Sequence, residues 1–233
     1  MQSLRTHAVI LRRINYGEAD RILTLLTRDY GKVALIAKGV RKEKSKLAGG
    51  IELMSESDIS FIKGKGDIGT LVSTQLSRHF GNIHTDLGRM NVASEFLRRI
   101  DKVSEDETSS EFYDLVLSVF VALNTPEVPP VLVSAWATMR LLVLLGEVMS
   151  VESDSNGDLF VDSQKYQFSY EDSQFVPSST GEVLPIDIKF LRLLGSESPA
   201  RIMAVKDVVI LAEKASKLLN FVYQYSRPNT AKY

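Results

Sequence analysis

Near residue 80 the apolar residues of this 233-residue chain change their spacing, and few architectures accommodate both halves. Before that point they alternate or run in short β-branched stretches, which predicts strands over 8–13, 22–27, 33–37, 58–62 and 71–76. The separators are turn chemistry: Tyr16-Gly17, Asp29-Tyr30-Gly31, Gly49-Gly50 and Gly64-Lys65-Gly66. Turns at Gly17 and Gly31 are expected to use positive φ. Five short strands within 1–80 match a small closed barrel of the OB type, in which closure removes exposed sheet edges.

Beyond residue 80 the period becomes helical. Leu87, Met90, Ala93, Leu97 and Ile100 mark one face; Phe112, Leu115, Val116, Val119, Phe120 and Leu123 mark another, with Thr108 and Glu111 spaced as a capping box. The segment 131–147 is apolar nearly all round, as a central bundle helix is, and its Trp136 reads as core. Val208, Leu211, Ala212, Ala215, Leu218, Leu219 and Val222 mark a long final helix. Residues 150–185 break the pattern. They are rich in Ser and Asp, with Asn156-Gly157 as a hairpin turn and 166–170 alternating like a strand, so a small β-rich insertion is expected there. The predicted fold is α+β in two domains: a five-stranded OB-fold barrel over 1–80, then a helical domain over 81–233 carrying the insertion.

Charge divides at the same place. Lys plus Arg number 28 and Asp plus Glu 29, a net of -1 that taken whole argues against a polyanion partner. Residues 1–80, however, hold 14 cations against 8 anions, a net of +6, and residues 81–233 hold 14 against 21, a net of -7. Cysteine is absent, which excludes disulfides, thiolate metal sites and a cysteine nucleophile, and fits a reducing compartment. The N-terminal segment lacks the apolar run and cleavage site of a signal peptide. The longest apolar stretch contains Arg140 and falls short of the roughly 20 residues a bilayer span needs, so a soluble, intracellular protein is expected.

Several motif matches fail on physical grounds. Gly64, Gly66 and Gly69 match a dinucleotide fingerprint, but no helix follows to meet a pyrophosphate, so a hairpin turn is the better reading. Glu152, Asp154 and Asn156 begin like a calcium loop whose twelfth position should be a bidentate Glu and is Ser163. His7, His79 and His84 form no zinc-ligand spacing. Glu18 and Asp20 sit in a tight loop beside Arg21, where fixing a turn or pairing a charge suits them better than acid–base catalysis. No catalytic constellation emerges.

The strongest chemical signal is the loop holding Lys38, Arg41, Lys42, Lys44 and Lys46, offset by Glu43 alone. Arg12, Arg13, Arg21, Arg28 and Lys32 add charge from neighbouring strands and turns. Such a loop lies beside the groove in which an OB-type barrel tracks a nucleic-acid backbone; the same loop also suits a merely solvated rim. Aromatics are sparse (Tyr16, Tyr30, Phe61, Phe80), so binding would be electrostatic and tolerant of sequence.

In order, Thr6 to Arg12, Tyr16 to Leu23, Leu26-Thr27 with Tyr30-Gly31-Lys32, Ala37-Lys38-Gly39, Arg41-Lys42 and Ser45 resemble the N-terminal domain of bacterial RecO recombination-mediator proteins. Leu141 to Gly146 and Phe168 to Asp172 fall where that family has similar segments. The resemblance implies a protein without catalytic activity or cofactor that binds single- and double-stranded DNA and anneals complementary strands. It would help load recombinase with a RecR-like protein and the C-terminal tail of single-stranded-DNA-binding protein as partners. A monomer on its own, it would be cytoplasmic and nucleoid-associated, with Arg12, Arg13, Arg21, Lys32, Lys38, Arg41, Lys42, Lys44 and Lys46 on the DNA. Many family members carry a four-cysteine zinc knuckle in the insertion. This chain has none, so its insertion must rely on hairpin pairing and burial of Phe160, Tyr166 and Phe168. The alternative reading is an OB-fold adaptor for RNA or an acidic protein.

Overall fold

A computed structural model describes residues 3–104, 110–147 and 149–226. Five strands, β1 (Leu4–Tyr16), β2 (Asp20–Thr27), β3 (Gly31–Ala37), β4 (Ser55–Ile62) and β5 (Ile68–His79), close into a barrel of order β1-β2-β3-β5-β4. All five predicted strands are present, each longer than its apolar run. The β1–β2 and β2–β3 turns place Gly17 at φ 56° and Gly31 at φ 63°, the left-handed values expected of them. All neighbours pair antiparallel except β3 and β5, which run parallel over only Ala34–Ile36, so the sheet opens below Ala34.

The barrel core is Ala8, Ile10, Leu23, Leu25, Leu35, Ala37, Ile59, Phe61 and Leu71, plugged from the β3–β4 loop by Val40 and Ile51. Val9 and Leu26 point the other way in the pleat and are still buried, because helices lie over the outside of β1 and β2. These are α2 (Leu87–Val103) on β1 and α3 (Ser110–Asn124) on β2, with the short α1 (Gly81–His84) packed against both helices. The chain accordingly divides into two compact units, 1–126 and 127–233. Secondary structure changes character near 80, whereas compactness divides at 126.

Asp86 caps α2, its carboxylate accepting the Arg89 N–H at 2.9 Å. Ala93, Leu97 and Ile100 are buried as their spacing predicts, but Leu87 is 73% exposed, because it opens the first turn before the helix reaches the core. The Thr108 capping box lies outside the described residues. A buried polar post joins α3 to the barrel. The Glu56 carboxylate on β4, 6% exposed, accepts the Tyr113 hydroxyl at 2.6 Å and Arg78 Nε at 2.5 Å. Burial works to raise the Glu56 pKa, but the bonds from Arg78 and Tyr113 and the charges of Arg78 and His7 outweigh it and hold the carboxyl below its ordinary value. Burial, then Glu56 itself, drives the Tyr113 phenol far above its ordinary value.

The second unit holds α4 (Pro130–Leu144), a hairpin of β6 (Tyr166–Ser169) and β7 (Gln174–Pro177), then α5 (Pro185–Ser196), α6 (Pro199–Ile202) and α7 (Val208–Tyr225). Helix α4 is buried on most sides, and Trp136 donates its indole N–H to the Glu197 carbonyl at 2.9 Å. At Asn156-Gly157 the turn is closed by Asp154, whose carboxylate accepts the Asn156 and Asp158 N–H groups. That use leaves a local turn rather than a calcium loop.

Candidate nucleic-acid interface

The basic loop is shaped by short-range bonds before any charge matters. The Asp20 carboxylate accepts the Gly39 N–H at 2.7 Å, and the Arg41 N–H reaches the Ala19 carbonyl at 2.9 Å. Asp20 is thus the turn-fixing residue its position suggested, while Glu18 is exposed. Gly39 takes φ 64°, and successive turns follow from Lys42 N–H to Gly39 and Ser45 N–H to Lys42. With Val40 and Ile51 anchored in the barrel, Lys38, Arg41, Lys42, Lys44 and Lys46 are left exposed on one loop.

The nine predicted contact residues separate by what already holds them. Among the described residues Lys38, Lys42, Lys44 and Lys46 pair with no carboxylate. Arg41 and Arg21 bond neutral acceptors, the Gly17 carbonyl at 3.2 Å and Asn15 Oδ1 at 3.2 Å, so their charge is uncompensated. Arg13 lies on the opposite side of β1 from Arg12, with Nη1 3.5 Å from Glu52 Oε2. Arg12 and Lys32 both face Asp101 of α2, at 3.4 and 3.8 Å, and Lys32 Nζ also donates to the Asp101 carbonyl at 2.8 Å. The structure therefore gathers five of the nine on the loop, keeps Arg21 beside the adjoining turn, and engages three elsewhere.

Below Ala34, where β3 and β5 part, a groove of about 450 Å³ opens. Its wall includes Tyr30 and Phe61, ring centroids 5.6 Å apart and nearly perpendicular, with Lys63 Nζ 6.0 Å from the Tyr30 ring centre. Arg12, Lys32, Asp67 and Asp101 line it as well. The β4–β5 turn that closes it needs glycine: a Cβ at Gly64 would sit 2.2 Å from the Ile68 carbonyl oxygen. No helix follows, so the dinucleotide reading fails in the structure as in the sequence. Neither Lys63, which its place beside the glycine turn could have brought to notice, nor Asp101, which lies 69 positions from Lys32, was among the residues expected from sequence.

In the second unit the insertion is held by aromatic packing. Tyr166, Phe168 and Phe175 are buried, and Phe160 meets Tyr166 and Phe175 edge-on at 5.0 and 6.0 Å. With no cysteine in the chain, and no group of three metal-ligating side chains among the described residues, the insertion does not fit a zinc knuckle. Beside the hairpin, Phe168, Leu191, Leu218 and Phe221 line an open groove of about 650 Å³ rimmed by Lys214 and Lys217 and by Glu182 and Asp187. Among the described residues no helix is long and apolar enough to cross a membrane.

Residues 1–80, the whole barrel, match the model of a family described as recombination protein O, N-terminal. Three similar proteins each carry the name DNA repair protein RecO. That of Heliobacterium modesticaldum is 36% identical over 146 residues, 63% of this chain and 52% of the relative. That of Acetivibrio thermocellus is 31% identical over 170 residues, 72% of this chain and 67% of the relative. That of Dehalococcoides mccartyi is 37% identical over 126 residues, 54% of this chain and 49% of the relative. The chain thus spans about half to two thirds of the length of these relatives. An OB-type barrel, the ordered run of residues from 6 to 46 and these similarities together make the chain a member of the RecO family.

Proposed function

We propose that this chain is a recombination mediator of DNA repair that binds single- and double-stranded DNA, anneals complementary strands and helps load recombinase onto coated strands. The observation that carries the reading is the Lys38–Lys46 loop, whose four lysines point to solvent without carboxylate partners among the described residues. Annealing needs a cationic surface that screens phosphate repulsion without holding either base sequence, and flexible lysines supply point charges of that kind. Chemistry on the strand is no part of the role. Residues 1–80 are the DNA-binding domain in this reading, and 81–233 the partner-binding part. A RecR-like protein and the C-terminal tail of single-stranded-DNA-binding protein are the partners it brings. The groove beside Phe168 and Phe221 supports the second, because its apolar depth and the flanking Lys217 suit an acidic, hydrophobic tail, Lys214 being paired with Asp187 at 3.2 Å.

The loop lysines together with Arg21 and Arg41 give six uncompensated cations, for a single-strand salt slope of about 4 at roughly 0.7 per phosphate contact. Lys42→Glu with Lys44→Glu is expected to lower that slope by about 1.4 and to slow annealing while the barrel stays folded. Strand annealing across a salt series, with and without single-stranded-DNA-binding protein, reads both. Unchanged binding and annealing in the double variant would remove the loop from the interface. Preference for A-form duplex RNA over single-stranded DNA in competition would favour the adaptor reading instead.

A further inference from the structure

The groove below Ala34 contains a carboxylate arranged as a phosphate would be. Asp101 presents Oδ2 to Arg12 of β1 at 3.4 Å and Oδ1 to Lys32 of β3 at 3.8 Å, bridging cations from two strands of the barrel. Its side chain is 22% exposed and that of Arg12 58%, so this pair is open to a competing anion. Asp101 also stands in the last turn of α2, which ends at Val103. There the helix dipole disfavours negative charge, so the helix itself gives the carboxylate no support. Its support comes from the two cations. Lys63, the Tyr30 ring and Asp67 of the β4–β5 turn also line the groove: a third cation, an aromatic face and a second carboxylate.

We propose that this groove is a second subsite for the phosphodiester backbone of a single strand, and that Asp101 occupies its phosphate position until a strand displaces it. The inference rests on the DNA-binding reading above and adds a gate to it. A strand captured by the Lys38–Lys46 loop exchanges the Asp101–Arg12 pair for a phosphate–Arg12 pair, and Lys63, which lines the same groove, adds attraction. Since one ion pair replaces another, the exchange is close to neutral. The strand is then held without being locked, as annealing requires. Lys32 divides its role: its bond to the Asp101 carbonyl at 2.8 Å caps the end of α2 and does not depend on the carboxylate.

The test uses the full chain and a fluorescently labelled oligothymidylate, with anisotropy read across a salt series. Asp101→Asn keeps the carbonyl that Lys32 caps and removes the competing charge. It is expected to tighten binding about 2- to 5-fold and to steepen the salt slope by about 0.7, one extra phosphate contact. Arg12→Ala alone is expected to change binding less than about 2-fold, yet to abolish the gain when combined with Asp101→Asn. Asp101→Ala serves as the second variant if the Asn form melts early. The gate is overturned if Asp101→Asn and Asp101→Ala leave affinity and slope at wild-type values, or if the gain survives Arg12→Ala. Wild-type protein that binds no oligothymidylate would overturn the DNA reading as well. Loss of binding in the Lys42, Lys44 double variant with no effect at Asp101 would leave that reading standing and sink the gate alone.

Discussion

Tyr113→Phe tests the post that joins α3 to the barrel. The substitution removes one hydroxyl and leaves the ring, so packing is preserved and the loss is confined to the 2.6 Å bond onto Glu56. Glu56 is 6% exposed; its remaining partner, Arg78, has a side chain 48% exposed. A hydrogen bond to an ionised group contributes about 1.5–3 kcal/mol, and a carboxylate buried to this degree regains little from water, so a loss in that range is expected at neutral pH. The pH dependence follows from the direction of the Glu56 shift. Its folded pKa is depressed, so its contribution is complete above the unfolded value of about 4.3 and is lost as pH falls through the lower folded value. Below that value the bond joins two neutral groups, worth about 0.5–1.5 kcal/mol, and the wild type should approach the variant. Trp136, the single tryptophan, lies in the second unit, so its fluorescence is the wrong reporter. Hydrogen exchange of β4 and β5 amides, measured at neutral and acid pH, reads the first unit directly. A Tyr113→Phe protein with wild-type protection at neutral pH, or with an undiminished deficit in acid, would refute the reasoning.

Arg89 of α2 is 7% exposed and donates to the carbonyls of Leu123, Thr125 and Pro126 at 2.6–3.0 Å, capping the end of α3 with a buried cation. Arg89→Met should cost about 3–5 kcal/mol in urea denaturation of the first unit, because three acceptors lose their donor together; a cost below about 1 kcal/mol would contradict this. In the second unit, Phe175→Ala should cost about 3–5 kcal/mol and collapse near-ultraviolet dichroism from the aromatic cluster, since Phe175 is fully buried between Phe160 and Phe168. A metal chelator should leave the melting temperature of the wild type unchanged, and a fall on chelation would show that the insertion binds metal after all.

Which parts were legible in sequence follows from where the determining contacts lie. The strands of the barrel were visible because one face of each is buried and the pleat turns that into alternation. The end of β5 beyond the predicted 71–76 was not: Ser77 to His79 is exposed and polar, and it is a strand only because it pairs with β4. β7 gave no signal for a similar reason, since Phe175 is the one fully buried residue in a four-residue strand ending in Pro177. Tyr113 was left off the expected apolar face of α3 although its spacing from Val116 and Phe120 puts it there; what spacing cannot show is that its hydroxyl meets a buried carboxylate. At the interface, the cation run of 38–46 was readable as composition. Which cations remain uncompensated was not, since Asp101 reaches Arg12 and Lys32 only through the docking of α2 on β1.

That docking changes what the charge division means. Residues 81–126 carry 4 cations and 8 anions, so the first compact unit has a net of +2 where its barrel segment alone has +6. The long-range field of such a unit is weak, and screening over about 8 Å at physiological salt weakens it further. In the proposed DNA-binding role, steering from a distance would therefore be a small effect, and affinity would come from short contacts between the loop lysines and phosphates. The acidic helices do not simply dilute the barrel. By pairing Arg12 and Lys32 they withdraw positive charge from the sheet and leave it concentrated on the exposed lysines of the 38–46 loop. In the proposed mediator role that distribution would release the duplex more readily than a uniformly basic barrel, because a phosphate reaches Arg12 only by displacing Asp101, which competes for that cation again as the strand leaves.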